Sequence, residues 1–310
     1  MFVILLLLTA GLALGAGPAI PPVAPTARVE AQAAIPLPYF QVPDNLQLCG
    51  EPVPLNDPEV REALDREFTI EVWSRAQTTM WLKRAQRYFP EIERKIRARR
   101  LPLDLKYVAV VESNLMPKAR SPVGAQGPWQ FMPPTAQRFQ LKITDAIDER
   151  LEFVTATDAA LRYLKDLHRL FNSWALALAA YNCGEGRVQR EMANQGVNNY
   201  YHLSLPEETE RYVHRILAAK IILESPERYG YDIPGAQLYP PLDFDEVDFS
   251  ITKEVPVRTL AEASGSFYKA IKRLNPWIKG ANLPPGAYHL KLPKGTGPRF
   301  KEAYRRGVFG

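Results

Sequence analysis

Apolar residues at helical spacing fill most of the chain between residues 57 and 224, and this pattern limits the fold more than any other feature. Asp57 and Pro58 resemble an N-cap and first-turn pair, and the stretch 58–89 then repeats apolar residues every three or four positions. In the charged segment "EIERKIRARR", Ile92 and Ile96 are expected to face inward. Strand-like alternation is scarce before residue 236, so the sequence predicts a mainly α body.

Three further segments extend this helical pattern. "TATDAALRYLKDLHRLF" and "PEETERYVHRILAAKIIL" are amphipathic, which is typical of helices with one face on a core. "SWALALAAYNCGEGRV" is nearly apolar as far as Tyr181, and it predicts a buried helix that ends at Gly184.

The character of the chain changes after a cluster of Pro and Gly at 234–241, which predicts a domain boundary. "DFSITKEVP" and "GAYHLKLPKG" alternate like strands, and "RTLAEASG" and "SFYKAIKRLNPW" resemble short helices. A strand–helix–helix–strand unit of this size cannot build a large core. We therefore expect a small α+β binding module here.

The N-terminal run "MFVILLLLTAGLALGAG" is typical of the apolar region of a secretory signal, because it is short for a membrane span. The predicted organisation is a signal peptide at 1–16 and a Pro/Ala-rich spacer at 17–50. An uncleaved anchor is the alternative. No Cys follows the apolar run, so we expect an exported protein of the periplasm or cell envelope that is not a lipoprotein.

Charge and cysteine content restrict the partners and cofactors. A net charge of +5 favours an anionic partner, and both nucleic acid and anionic cell-wall polymers fit it. No RNP-type or zinc-finger motif occurs, so nucleic acid is the less favoured partner. Cys49 and Cys183 fit no zinc site, and either one disulfide or two free thiols are compatible with the sequence. The four His residues are scattered, so no metal or other cofactor is expected.

A single acid ends the apolar helical segment "LPLDLKYVAVVES". Leu105, Val108, Ala109 and Glu112 fall on one helical stripe, which points the Glu112 carboxyl toward the core. Burial and the negative end of a helix both raise the pKa of a carboxyl, so Glu112 is expected to stay protonated near neutral pH. A general acid needs that protonation state. The alternative is a structural Glu that only hydrogen-bonds a neighbouring loop.

The segment after Glu112 offers groups that could bind sugar. Glycines at 124 and 127 allow a close backbone approach to a ligand, and Gln130 supplies an amide. Trp129 and Phe131 supply apolar faces, with core packing as the alternative role. Tyr181 and Asn182 end a buried helix, where they could serve as a cap or as part of a site.

Four motifs together resemble the lytic murein transglycosylases of the soluble-transglycosylase type, and in particular the membrane-bound transglycosylase D group. They are "ES" at 112–113, "GAQGPWQFMP" at 124–133, "AAYNCGEGRV" at 179–188 and "LPEETERYV" at 205–213. "DER" at 148–150 also fits that group, and the resemblance covers about residues 50–235. The family pattern usually has a larger apolar residue in place of Pro128 and a small one in place of Cys183.

This resemblance implies a lysozyme-like, mainly helical domain at 51–235. It also implies non-hydrolytic cleavage of the bond between N-acetylmuramic acid and N-acetylglucosamine, which leaves 1,6-anhydro ends. Glu112 is then the only catalytic residue, as acid and afterwards as base, which accounts for the lack of a second nearby carboxylate. The residues implied to position Glu112 or bind the glycan are Ser113, Gln130, Tyr181, Asn182, Glu208 and Tyr212.

The unit at 236–295 resembles a degenerate LysM domain through "RTLAEASG", "IKRLNPWI" and "LPPGAYHLKLP", and residues 296–310 are predicted to form a tail. LysM modules bind glycans that contain N-acetylglucosamine, although packing is an alternative role for this unit. The implied partner is the peptidoglycan strand, with a monomeric protein and peripheral membrane association. A lysozyme-type hydrolase and a non-catalytic wall-binding scaffold are the alternative functions.

Overall fold

The computed structural model describes residues 38–309, which form a mainly helical body followed by a small α+β unit. The predicted signal peptide and most of the predicted spacer lie outside these residues. Within them the α-helices are α1 (Pro58–Trp73), α2 (Arg75–Ala98), α3 (Lys106–Ser113), α4 (Pro133–Arg138), α5 (Phe153–Phe171), α6 (Trp174–Cys183), α7 (Glu185–Gln195), α8 (Glu207–Glu224), α9 (Val257–Ser264), α10 (Tyr268–Leu274) and α11 (Gly297–Arg305). The strands are β1 (Gln47–Leu48), β2 (Glu51–Pro52), β3 (Phe244–Ile251), β4 (Val255–Pro256), β5 (Asn282–Leu283) and β6 (Gly286–Pro293).

The helical body is built around α6 and α8. Every residue of α6 from Trp174 to Ala180 is buried, and α5, α7 and α8 pack against this helix. Helices α1 and α3 pack on α8. The mainly α class is confirmed, and so are the buried helix and its end at Gly184.

Two N-terminal helices replace the single segment suggested by the pattern at 58–89. The first helix ends at Trp73 and is capped by Ser74, whose hydroxyl donates to the carbonyl of Ile70 at 2.7 Å. Helix α2 then continues through Pro90 into the charged segment. Ile92 and Ile96 are fully buried there, as predicted.

The predicted spacer at 17–50 ends earlier than expected. Val42 and Leu48 are buried in the core of the helical body, and Phe40 packs edge-on against Tyr229. These apolar side chains exclude residues 40–50 from a solvated spacer. Cys49 and Cys183 are both free, so the predicted alternative of a disulfide between them is not formed.

The C-terminal unit, residues 244–309, has the predicted strand–helix–helix–strand order. Strands β3 and β6 pair antiparallel from Phe244 opposite Pro293 to Ile251 opposite Gly286, and their buried side chains alternate. The prediction of a tail at 296–310 was wrong for most of its length. Helix α11 packs on β3 and α9, and Phe300 and Phe309 are buried in the core of the unit, because a two-stranded sheet needs this extra apolar cover.

No helix within residues 38–309 is both long and apolar enough to cross a membrane.

Candidate active site

The end of α3 fixes the position of Glu112. Helix α3 stops at Asn114, which adopts the left-handed conformation (φ 53°), and the Leu115 N–H donates back to the Ala109 carbonyl at 3.3 Å. Helix α2 holds this cap, because the Trp81 indole N–H donates to the Asn114 side chain at 2.6 Å. Glu112 therefore lies in the last turn of a buried helix, and its side chain is half-buried.

The Glu112 carboxyl is in an environment that favours its protonated form. Burial raises its pKa to about 7 from an ordinary value of 4.5. The Tyr212 hydroxyl donates to Oε1 of Glu112 at 2.5 Å, and this hydrogen bond and the charge of Arg215 lower the pKa against the larger effect of burial. Glu208 raises the pKa through its negative charge. A carboxyl with a pKa near neutrality can both donate and accept a proton.

Helix α8 supplies the side chains that adjust this pKa beside the larger effect of burial. Glu208, Tyr212 and Arg215 are spaced at i, i+4 and i+7, which places them on one face of the helix. The Arg215 guanidinium donates to Oε1 of Glu208 at 2.7 Å, and the Glu208 side chain is exposed. The motif resemblance implied roles for Glu208 and Tyr212 but not for Arg215, which helical spacing places on the same face.

A loop at residues 124–131, here named the catalytic loop, is held against α3 and α6. The Ser113 hydroxyl donates to the carbonyls of Ala109 at 3.0 Å and Pro128 at 2.9 Å, so the residue after Glu112 anchors the loop. The Tyr181 hydroxyl donates to the Trp129 carbonyl at 2.8 Å. Ser113 is buried, so its hydroxyl contacts the protein interior.

The aromatic residues of the catalytic loop belong to the core. Trp129 is fully buried, and its indole N–H donates to the Thr157 hydroxyl at 2.9 Å. Phe131 is 2% exposed. The alternative of core packing therefore holds for both residues.

The remaining predicted site residues, Gln130 in this loop and Asn182 at the end of α6, are half-buried. The Gln130 side-chain amide donates to the Gly127 carbonyl at 2.8 Å within its own loop and to the Ala119 carbonyl at 3.2 Å before the loop. The Asn182 side-chain oxygen accepts from the Thr209 hydroxyl at 2.7 Å, which links α6 to the start of α8.

Of the predicted residues, Tyr212, Tyr181 and Glu208 act directly on the Glu112 carboxyl through a hydrogen bond or charge, whereas Gln130 and Asn182 hydrogen-bond other parts of the protein. Within residues 38–309, Glu112 accepts a side-chain hydrogen bond from Tyr212 only. Burial raises the pKa of Tyr181 above its ordinary value, and the Glu112 charge raises it further. Ser113 follows Glu112 in the chain, and its hydroxyl donates to backbone carbonyls rather than to the Glu112 carboxyl. No group of three His, Cys, Asp or Glu side chains in this part of the chain could hold a metal ion.

Comparison with known proteins agrees with the motifs. Residues 91–204 match the model of the transglycosylase SLT domain. Membrane-bound lytic murein transglycosylase D of Escherichia coli K12 is 31% identical over 230 residues, which cover 72% of this chain and 50% of the relative. The soluble lytic murein transglycosylase of Salmonella typhimurium is 35% identical over 120 residues, which cover 36% of this chain and 19% of the relative.

A solved structure, the 70 kDa soluble lytic transglycosylase of Escherichia coli, aligns with 59% of this chain and 32% of its own, at 23% identity and a TM-score of 0.41. The chain spans about half the length of the transglycosylase D relative. The chain carries a transglycosylase SLT domain and is homologous to membrane-bound lytic murein transglycosylase D.

Proposed function

We propose that this protein is a peptidoglycan lytic transglycosylase that cleaves the bond between N-acetylmuramic acid and N-acetylglucosamine without water. The observation that carries the proposal is the half-buried Glu112 carboxyl, with its pKa raised to about 7 and its contact with Tyr212. Its position at the end of α3, beside the loop of the SLT domain, supports the assignment.

In the proposed reaction Glu112 acts twice. Its proton passes to the glycosidic oxygen as the bond from that oxygen to the anomeric carbon breaks. The resulting carboxylate takes the proton of the C6 hydroxyl of the muramic sugar, and the C6 oxygen bonds to the anomeric carbon. The substrate supplies the nucleophile, so no water is consumed and Glu112 ends as it began. The substrate N-acetyl group stabilises the cationic centre.

The neighbouring residues divide into two proposed roles. Tyr212 stabilises the Glu112 carboxylate after proton transfer through its hydrogen bond. Ser113 and Tyr181 position the catalytic loop, because their hydroxyls donate to its carbonyls. Gln130, Asn182 and Glu208 are the proposed contacts to glycan, since their side chains are half-buried or exposed and therefore open to a ligand.

The proposed partner is the peptidoglycan glycan strand, and the proposed location is the cell envelope. We propose that the protein acts as a monomer with peripheral membrane association. The C-terminal unit is proposed as a LysM-like module that contacts wall glycan, on the basis of its strand–helix–helix–strand order.

A lysozyme-type hydrolase is the second candidate, because Glu208 is close enough for its charge to act on Glu112. Such an enzyme would need a free carboxylate that activates water. Glu208 is instead paired with Arg215 at 2.7 Å, which favours the lytic reaction.

Mass spectrometry of the products from purified peptidoglycan tests the proposal. The expected products are lighter by one water per cut than those of hydrolysis. Glu112→Gln is expected to lose at least about 10²–10⁴-fold in rate, and Glu208→Gln serves as the comparison for the hydrolase. Products with reducing ends and a Glu208→Gln variant as inactive as Glu112→Gln would establish the hydrolase. Wall binding without any product from the wild type would establish a scaffold.

A further inference from the structure

Residues 144–152, here named the shared segment, direct their side chains toward two different parts of the molecule. Ile147 and Leu151 are 1% and 8% exposed, and both belong to the apolar core of the C-terminal unit. Arg150 is 3% exposed and turns toward the catalytic loop. The segment therefore contributes to the C-terminal core while it contacts the loop beside Glu112.

Backbone pairing joins the shared segment to the C-terminal unit. The Asp148 N–H donates to the Trp277 carbonyl at 2.8 Å, and the Ala146 carbonyl accepts from the N–H of Lys279 at 2.8 Å. Ile147 forms an antiparallel bridge with Ile278. Backbone pairing combined with shared apolar burial is typical of a stable interface between two parts of a fold, here the shared segment and the C-terminal unit, rather than of a flexible tether.

A largely buried ion pair adds to this interface. The Lys291 ammonium on β6 contacts Oε1 of Glu152 at 2.6 Å, and their side chains are 11% and 14% exposed. The other carboxylate oxygen of Glu152 accepts from the Thr155 N–H and caps α5. Removal of Lys291 would leave the largely buried Glu152 carboxylate, at the end of the shared segment, without its cation.

The Arg150 guanidinium connects the shared segment to both ends of the catalytic loop. Its Nε and Nη2 donate to the Asp148 carboxylate at 2.9 and 2.7 Å. Its Nη1 donates to the carbonyls of Gly124 and Phe131, each at 3.0 Å. A planar guanidinium can make these bonds together, whereas a Lys ammonium cannot.

The middle of the catalytic loop contacts the same residue. A Cβ on Gly127 would lie 1.9 Å from the Arg150 carbonyl oxygen, so only glycine fits at this position. The opposite side of the loop is held by Ser113, the neighbour of Glu112, through the Pro128 carbonyl. The loop therefore lies between the residue after Glu112 and the shared segment.

We propose that Arg150 is a positioning residue for the catalytic loop, and that the C-terminal unit keeps Arg150 in place through the shared segment. The proposal rests on the proposed function, because it assigns the C-terminal unit a part in the rate of that reaction beyond any contact with the wall. Asp148 has the supporting role, since it orients the guanidinium.

The first test replaces Arg150 in the full chain. Arg150→Lys is expected to lower kcat about 10–100-fold with KM changed less than about threefold, because displacement of a loop beside the reacting groups costs rate. Hydrogen exchange is expected to speed up at the amides of Gln126, Gly127 and Phe131, whose N–H groups donate to backbone carbonyls. The matched control is Arg169→Lys, whose exposed guanidinium pairs with Asp166.

The second test acts from the C-terminal unit. Lys291→Met is expected to speed exchange at the same loop amides and lower kcat about 3–10-fold. Its control is Lys294→Met, because exposed Lys294 pairs with Asp245 at 3.7 Å inside the same unit. If the unit only tethers the enzyme to the polymer, Lys291→Met would raise KM and leave both kcat and the exchange rates of the loop amides unchanged.

Unchanged loop exchange and an unchanged kcat in both variants would overturn the proposal. If Arg150→Lys does not fold, Lys291→Met and Asp148→Asn decide the matter by the same readouts. A wild type without any product would overturn the proposed function, whereas the exchange measurement would still decide whether Arg150 and Lys291 hold the loop.

Discussion

Replacement of Glu112 by Gln tests the raised pKa through folding stability. The unfolded chain releases the Glu112 proton near its ordinary pKa of 4.5, whereas the folded protein keeps it up to a pKa of about 7. Between these values the folded state binds more protons, so stability falls as pH rises. A pKa difference of this size corresponds to about 3 kcal/mol, which is fully lost above pH ~7.

Glutamine cannot ionise, and its amide oxygen can still accept from Tyr212. Glu112→Gln is therefore expected to be more stable than the wild type by up to about 3 kcal/mol at pH ~8.5, and no more stable at pH ~4. Urea unfolding at the two pH values measures this difference. The matched control is Glu62→Gln on α1, where the carboxylate is exposed. Parallel stability curves for Glu112→Gln and the wild type would refute the raised pKa.

Three further changes probe the same site. Tyr212→Phe removes a hydrogen bond that lowers the pKa of Glu112, so the alkaline limb of the pH profile of kcat/KM is expected to move to higher pH. The free energy of unfolding, measured in urea, is expected to fall by about 1–2 kcal/mol. Arg215→Met is expected to move that limb in the same direction, and a shift to lower pH would contradict the assigned effect of its charge. Gly127→Ala places a Cβ against the Arg150 carbonyl at a positive φ of 87°, so urea unfolding should show a loss of at least about 2 kcal/mol. Near-wild-type stability of that variant would mean that the loop has room there.

Helical periodicity predicted much of the fold because it reports local burial. The buried α6 and its end at Gly184 followed from an apolar run closed by glycine, and inward Ile92 and Ile96 followed from their spacing. Residues 40–50 and α11 were missed because their order comes from distant contacts. Phe300 and Phe309 are buried against strands of the C-terminal unit, and no local pattern shows that partner.

In the candidate site, too, local patterns could be predicted from the sequence, whereas contacts between distant residues could not. The position of Glu112 at the end of an apolar helix could be predicted from its stripe, and the structure places the carboxyl half-buried at that end. The contact with Tyr212 joins residues 100 positions apart in sequence, so only the motif resemblance suggested it. Arg150 holds the catalytic loop through hydrogen bonds to two backbone carbonyl oxygens. Every residue has such a carbonyl, so residue types in a sequence do not indicate these bonds.

A direct titration of the Glu112 carboxyl tests the central claim most sharply. Carbon-13 NMR of protein labelled at the glutamate side-chain carboxyl would follow each resonance with pH, and the Glu112→Gln variant would identify the signal of Glu112 by its loss. We expect that signal to titrate with a pKa of about 7. A pKa near 4.5 would contradict the account, because the carboxyl would then be ionised at neutral pH and could not supply the proton for glycosidic cleavage.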